Sequence, residues 1–433
     1  MQKPARPTPW GVGSVARLLV LAAAVLFPSP APAETVLTFV TWKPNHPEVF
    51  DEAIRRFEAA HPGIRIRREV GPHSSTEFHD LLTQKLKNRD PSVDVFYVDV
   101  IWPAEFAAAG WVLPLDRFLS PQERRAFLEP ALRAATYRGK IYGIPGWIDS
   151  GMLYYRKDLL AKYGFQPPKT WEELVRQAEV IVAGERSRNP GIHGYSGQFK
   201  QYEGLVCDMM EFILSNNGAI LDETGRKAAI HRPEAVAAVR FVRDRIIGHI
   251  APRGVLMYQE PESLDLFIQG NAVFHRNWPY AWEISNDPAR SRVAGKVGIA
   301  RLPAFEGGRS AAALGGWMLS ISPFSRHPEE AWTFIRFMTS PQMQKFLAIR
   351  AGRAPARKAL YRDPEVLRKN PQFRDQFQVF LTARPRPVSP VYPVLSNILQ
   401  RYFSAAISNP RSDIEALARR AAWDMDRVLA LAP

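Results

Sequence analysis

Residues 36–42, VLTFVTW, form a β-branched and aromatic run, the composition of a strand buried on both faces. Val49, Phe50, Ala53, Ile54 and Phe57 then recur every three or four residues, which predicts a helix with one apolar stripe. His61-Pro62-Gly63 stops that helix, and Ile64 to Val70 reads as a second strand. Another helix is predicted over roughly 75–88, and residues 93–98, VDVFYV, give a third strand. The order β-α-β-α-β begins a doubly wound parallel sheet, which makes the fold class α/β. Ligands of such sheets sit beyond the carboxyl ends of the strands, so Asp99 and Trp102 fall where a ligand would lie.

The middle of the chain is richer in helix. Thr170 and Glu173 form a capping box ahead of a helix running to about Ala183. Further helices are expected from Gly204 to Ser215 and over 233–247. Short strands follow at 271–275 and 296–300, and residues 317–322 (WMLSIS) resume a strand able to rejoin the first sheet. Helices are expected near 328–338, 341–349, 391–407 and 411–430. The Pro-rich stretch 384–393 is too short for a disordered linker and reads as an ordered loop. A chain that begins one α/β lobe, builds a second, returns and crosses again fits two lobes joined by several hinge segments.

At 433 residues the chain is long for one domain. Its hydrophobic fraction of 46% and charged fraction of 23% suit an ordinary globular core. Lys3, Arg6 and Arg17 precede an apolar run from Leu18 to Phe27, and Ala31-Pro32-Ala33 supplies a small-x-small cleavage pattern. That run is too short to span a bilayer. Residues 1–33 therefore read as a signal peptide, with the mature chain beginning at Glu34 and working in the periplasm. Removing the three basic residues lowers the net charge from +14 to +11. Export and the dispersion of the arginines argue for a solvated basic surface and against nucleic acid as a partner. Cys207 is the only cysteine, so no intrachain disulfide, cysteine zinc site or lipidation cysteine exists.

No H-E-x-x-H, P-loop, G-x-S-x-G or C-x-x-C motif occurs in the mature chain, and the nine histidines lack metal-ligand spacing. No metal or other cofactor is expected. Three aromatic–polar clusters stand out instead: Trp147-Ile148-Asp149, Asn277-Trp278-Pro279-Tyr280-Ala281-Trp282 and Gly315-Gly316-Trp317. An indole presents a flat apolar face that suits the C–H face of a sugar ring, while carboxylates and guanidinium groups hydrogen-bond its hydroxyls. Carboxylates among tryptophans also occur in glycosidases, so Asp99 and Asp149 remain open as an acid/base pair. Trp171, Trp332 and Trp423 lie on helical stripes and read as core; Trp42 and Trp102 fit either core or cleft rim. Tyr154, Tyr155, Tyr202 and Glu203 read as structural, and Arg384 as solvent-exposed.

From about residue 36 onward the sequence resembles the extracellular solute-binding proteins of sugar ABC importers, the trehalose/maltose-binding proteins in particular. The resemblance is carried by 93–102 (VDVFYVDVIW), 147–160 (WIDSGMLYYRKDLL), 200–208 (KQYEGLVCD), 276–282 (RNWPYAW), 312–317 (AALGGW) and 385–393 (PRPVSPVYP). It implies a two-lobed periplasmic-binding-protein fold of type II, with a hinge and an interlobe ligand cleft. The implied lobes are 34–147 plus 304–352 and 148–303 plus 353–433. In that likeness Asp99 and Asp149 match carboxylates that grip sugar hydroxyls, and Trp147 falls at an aromatic position. Trp278 and Trp317 match rings that stack on or wall the sugar, Gly316 lets backbone approach the ligand, and Arg386 matches an arginine reaching into the cleft. Two positions depart from the pattern. A glutamate just after the first strand appears as His46 or is displaced to Glu48, and an arginine on the next helix is replaced near Phe78-His79.

The resemblance implies a monomeric, non-catalytic subunit. It would capture a disaccharide by lobe closure and deliver it to permease transmembrane subunits driven by a cytoplasmic ATPase. Trehalose leads the candidates, with maltose, sucrose or a glucosyl-glycerol compound behind it. A secreted glycoside hydrolase or lyase using Asp99 and Asp149, and a sugar-sensing binding protein, are the competing readings.

Overall fold

The computed structural model describes residues 34–44, 46–72 and 75–431; the expected signal peptide and His73 lie outside the described residues. Strands β1 (Thr35–Thr41), β2 (Ile64–Val70) and β3 (Val95–Asp99) are parallel, with β1 between the other two. The helix Pro47–Ala60 buries Val49, Phe50, Ala53, Ile54 and Phe57, the stripe its spacing predicts. The third strand starts at Val95, two residues later than expected. Asp94 spends its carboxylate accepting a 2.8 Å hydrogen bond from the Thr38 N–H, so the ladder opens only after it.

Strand β4 (Ile144–Ser150) closes this first part of the chain, and a single residue, Gly151, separates it from β5 (Met152–Arg156). β5 belongs to a second sheet with β6 (His193–Ser196), β7 (Ala272–Asn277) and β8 (Val297–Ala300), in the order β8-β5-β7-β6. The chain then returns through β9 (Ala312–Ile321), which runs antiparallel to β3 on one side and to β4 on the other. β9 begins five residues before the expected 317. Gly315 and Gly316 hide its first half from a reading based on strand-forming side chains. A two-residue strand, β10 (Ala383–Arg384), pairs with Ala312 and Ala313 and starts the segment expected to be a loop.

The capping box at Thr170 and Glu173 opens the helix Trp171–Glu185 as the sequence predicts. The helix Pro233–Phe241 ends earlier than expected and continues as a wider π-turn over Val242–Ile246. The helix Tyr392–Ser408 packs on Glu203–Ser215 and on Ile414–Ala430, beside the second sheet. Asp413 caps the last helix by accepting from the Ala416 N–H, which sets its start three residues after the expected 411. One core assignment is corrected here. Trp171 and Trp332 are buried, but Trp423 points outward, 49% exposed, with the Arg420 and Arg427 guanidinium groups each 4.7 Å from its ring. Apolar periodicity placed it inward; two flanking cations give the indole a surface partner instead.

The crossing between the sheets is held by buried charge. Arg276 on β7 donates from Nε and Nη2 to Glu211 at 2.8 and 2.6 Å, and its Nε lies 3.1 Å from the Asp208 carboxylate. Glu211 Oε1 also accepts from the Ala313 N–H at 2.9 Å, so the second sheet and its helix grip the start of β9. Gly151 fits this arrangement because a Cβ there would lie 1.9 Å from Glu211 Oε1. Gly151→Ala is predicted to displace that carboxylate and cost about 1–3 kcal/mol, an overpacking penalty. Urea unfolding reads the loss, and an unchanged midpoint would contradict the assigned packing.

Candidate binding cleft

Strand register assembles the first wall. Trp317 on β9 pairs with Asp99 on β3 and with Trp147 on β4, so three of the sequence-predicted residues meet at one level of the sheet. Gly316 precedes them at φ 126°, a region that disfavours side chains. A Cβ there would lie 2.6 Å from the Trp147 carbonyl oxygen, so the close approach of β9 to β4 requires glycine. The pairing of β9 with β4 shifts register between Trp317 and Met318, and this bulge sets the angle at which the indole leaves the strand.

Trp317 stacks on Trp42 with centroids 4.7 Å apart and planes 13° from parallel. Trp102 meets it edge-on at 5.5 Å and Phe78 lies 5.9 Å away. Trp147 sits 5.0 Å from Trp42 and 5.2 Å from Tyr97. Trp42, Trp102 and Trp147 are nearly fully buried, whereas Trp317 keeps part of its surface open. The structure thus resolves the open choice for Trp42 and Trp102 as core that backs the exposed ring. Phe78, at one of the positions departing from the family pattern, joins the same aromatic mass. His79 turns aside to Glu105, 2.7 Å from its Nε2.

The acids lie beside this wall. Asp149 Oδ2 accepts from the Trp147 indole N–H at 3.0 Å. Burial pushes the Asp149 carboxyl above its usual range, while the Arg353 charge pulls it back. Asp99 is pushed up to about 6, chiefly by burial; Arg386 opposes the rise, and Glu203 and Asp149 add to it. Arg386, the residue expected to reach into the cleft, is held by protein. It donates to Glu203 Oε1 at 2.7 Å and to the Leu314 carbonyl at 3.2 Å, with Asp99 Oδ1 3.5 Å from Nη2. Glu203 also accepts from the Tyr392 and Ser396 hydroxyls, which makes it the structural residue the sequence suggested. Arg386 therefore fixes Asp99 and anchors the late crossing segment to β9.

Trp278 enters from the end of β7. Its indole N–H donates to Glu260 at 3.2 Å, and the Arg276 guanidinium lies 4.2 Å from the ring. A Cβ on Gly315 would lie 3.0 Å from the Trp278 ring and 3.1 Å from the Asp149 Cβ, so Trp278 reaches β9 next to Asp149. His46, the remaining predicted residue, is partly exposed and faces two glutamates. Its Nε2 is 3.5 Å from Glu283 on the helix Ala281–Asn286 of the second sheet's side, and its Nδ1 is 3.5 Å from Glu48. Glu283, Glu203 and Arg353 were not singled out as ligand or cleft residues from sequence. Each works through a partner more than 60 positions away, and with 57 Lys and Arg in the chain an isolated arginine carries no signal.

Two α/β units and a strand crossing that joins them, with an aromatic–carboxylate cluster beside it, make up a two-lobed periplasmic-binding-protein fold. The chain belongs to the bacterial extracellular solute-binding protein family, whose model matches residues 43–345. It is 37% identical over 363 residues to a probable ABC transporter-binding protein of Deinococcus radiodurans, covering 83% of this chain and 85% of that one. A maltotriose-binding protein of Pyrococcus abyssi is 24% identical over 400 residues, covering 89% and 80% of the two chains. Among solved structures, maltose-bound MalE3 of T. maritima aligns with a TM-score of 0.82 at 40% identity, covering 92% of this chain and 99% of that one. Members of this family bind solutes and are not enzymes, which removes the hydrolase reading of Asp99 and Asp149.

Glu283 holds the His46 pKa above its ordinary 6.5. The folded protein thus keeps the proton more tightly than the unfolded chain. The resulting stabilisation is full below about pH 6.5 and fades as pH rises beyond it. The pair is partly exposed, so about 0.5 kcal/mol is expected. His46→Gln should lower thermal stability at pH 5.5 and leave it unchanged near pH 9; an equal deficit at both values would contradict the ion pair.

Proposed function

We propose that this protein is the periplasmic substrate-binding subunit of an ABC importer and captures a neutral disaccharide of the trehalose or maltose type. The observation that carries the reading is the partly open Trp317 ring, held in register with Asp99 and Trp147. A flat apolar face beside carboxylates matches the two sides of a sugar ring, C–H groups on one and hydroxyls on the other. The relatives support the same class: a 40% identical structure holds maltose, a more distant relative binds maltotriose, and a 37% identical one is a probable ABC transporter-binding protein.

In this reading the lobes are 34–147 plus 304–352 and 148–303 plus 353–433, with residues near Gly151 and β9 serving as the hinge. The sugar binds one lobe and contacts from the other then favour the closed state, by population shift. Each hydroxyl exchanges water for protein, so net gains are modest, about 0.5–1.5 kcal/mol per hydrogen bond. Summed over the cleft, a dissociation constant near the micromolar range, roughly −8 kcal/mol, follows. The closed monomer then presents both lobes in fixed relation to permease subunits served by a cytoplasmic ATPase. Export through the cleavable segment 1–33 completes the proposal.

Calorimetry and thermal shift with maltose, trehalose and sucrose test it, combined with an assay for released monosaccharide. Saturable binding to at least one sugar without products is expected. Trp317→Ala should weaken the best ligand by about 10-fold or more, through loss of one stacking face. Binding to none of the three, or turnover of any, would refute the reading.

A further inference from the structure

The Arg353 guanidinium makes no hydrogen bond or ion pair to any of the described residues, although it lies among the aromatic rings behind Trp317. Gly352 ends the helix Pro341–Ala351 in the left-handed conformation at φ 60°, which turns the chain sharply before Arg353. The next residues run alongside β4: the Ile148 N–H donates to the Ala354 carbonyl at 3.1 Å, and Trp147 pairs with Pro355. This fixes the Arg353 guanidinium over the indoles, 4.6 Å from the Trp147 ring and 5.7 Å from Trp42. Its Nε is buried and has no hydrogen-bond partner among the described residues. Asp149, Tyr97 and Glu283 attract it through space, yet none of them forms an ion pair with it of the kind Arg386 makes with Glu203.

A guanidinium removed from water without hydrogen-bonded partners is costly, by several kcal/mol when burial is deep. Stacking on an indole recovers only a part of that. Arg386 also has a buried Nε without a partner among the described residues, but its Nη1 and Nη2 donate to Glu203 and to the Leu314 carbonyl. Arg353 is unlike it, and it lies on the wall where the binding residues converge.

We infer that Arg353 is a ligand-contacting donor that sets specificity for a hydroxyl-bearing unit held between itself, Asp149 and Glu283. This rests on the sugar-binding reading above and narrows it. Arg353 can only donate hydrogen bonds, while ionised Asp149 and Glu283 can only accept them. A hydroxyl fits between the two sets, accepting from the guanidinium and donating to a carboxylate. Asp149 offsets the Arg353 charge and His46 offsets Glu283, so neither a ligand carboxylate nor an ammonium would find an uncompensated opposite charge. The rim therefore favours a neutral sugar unit over a uronate or an amino sugar. Glu283 comes from the second sheet's side, and the Arg353 guanidinium reaches over Trp42 and Trp147 of the first lobe.

The test uses the mature wild-type protein, Arg353→Met and Arg353→Lys. Probes are maltose, trehalose, sucrose, digalacturonate and glucosamine, measured by calorimetry, with ligand-free melting as the second readout. Methionine keeps an apolar cover over the indoles and removes every donor. Arg353→Met should lose about 10-fold or more in affinity for the best neutral sugar, while its ligand-free melting temperature stays the same or rises. Arg353→Lys should fall between. Unchanged affinity in Arg353→Met, or a drop in ligand-free melting that marks a structural role, would overturn the assignment. So would wild-type preference for digalacturonate or glucosamine. Binding of no probe by the wild type would instead end the underlying sugar reading, and this inference with it.

Discussion

The whole arrangement depends on how β9 is clamped. Its first residues are held by the Glu211 carboxylate through the Ala313 N–H, and the same carboxylate is locked by Arg276 on β7. A few residues later the strand lies between β3 and β4 and belongs to the first sheet. One strand thus carries the geometry of both units, and Trp317 projects from its middle. A buried ion network is weak evidence for stability, since desolvation offsets much of its attraction. It is strong as a geometric constraint, because removing one member leaves the others charged and unpaired. Gly151, pressed against Glu211, shows that the backbone was fitted around the charge.

From that clamp the cleft follows. β9 can approach β4 closely only through Gly316, and that approach sets Trp317 beside Trp147 and Asp99. Trp42, Trp102, Phe78 and Tyr97 fill the space behind, so the exposed ring rests on a packed aromatic base. A rigid ring costs little to order on binding, so more of its stacking energy is available to hold a ligand. The two arginines divide the remaining work. Arg386 donates to Glu203 and the Leu314 carbonyl and lies beside Asp99; the Arg353 guanidinium makes no hydrogen bond to a described residue.

The sequence shows the first three strands, the Thr170 capping box and the late helices plainly, because each is a local pattern of burial or capping. Local pattern fails where partners are distant. β9 starts with Ala and Gly, residues without strand character, and is a strand because β3 and β4 flank it. Trp423 follows a helical stripe yet faces solvent, since its arginine neighbours cover it. In the cleft, Asp99, Trp147, Asp149, Trp278, Gly316 and Trp317 were visible through aromatic–acid spacing and family likeness. Glu283 and Arg353 were not, for their meaning comes only from what lies across the crossing. His46, chosen as a possible ligand contact, pairs with Glu283, a residue the sequence did not single out.

The central claim is that a neutral sugar lies between the two sheets against Trp317. A crystal structure of the mature protein grown with the tightest-binding disaccharide tests this most directly. The account predicts a sugar ring within about 4 Å of the Trp317 face, its hydroxyls on Asp99 and Asp149, and residues from both sheets around it. Density for the sugar away from these residues, or touching one sheet alone with Trp317 uncontacted, would contradict it.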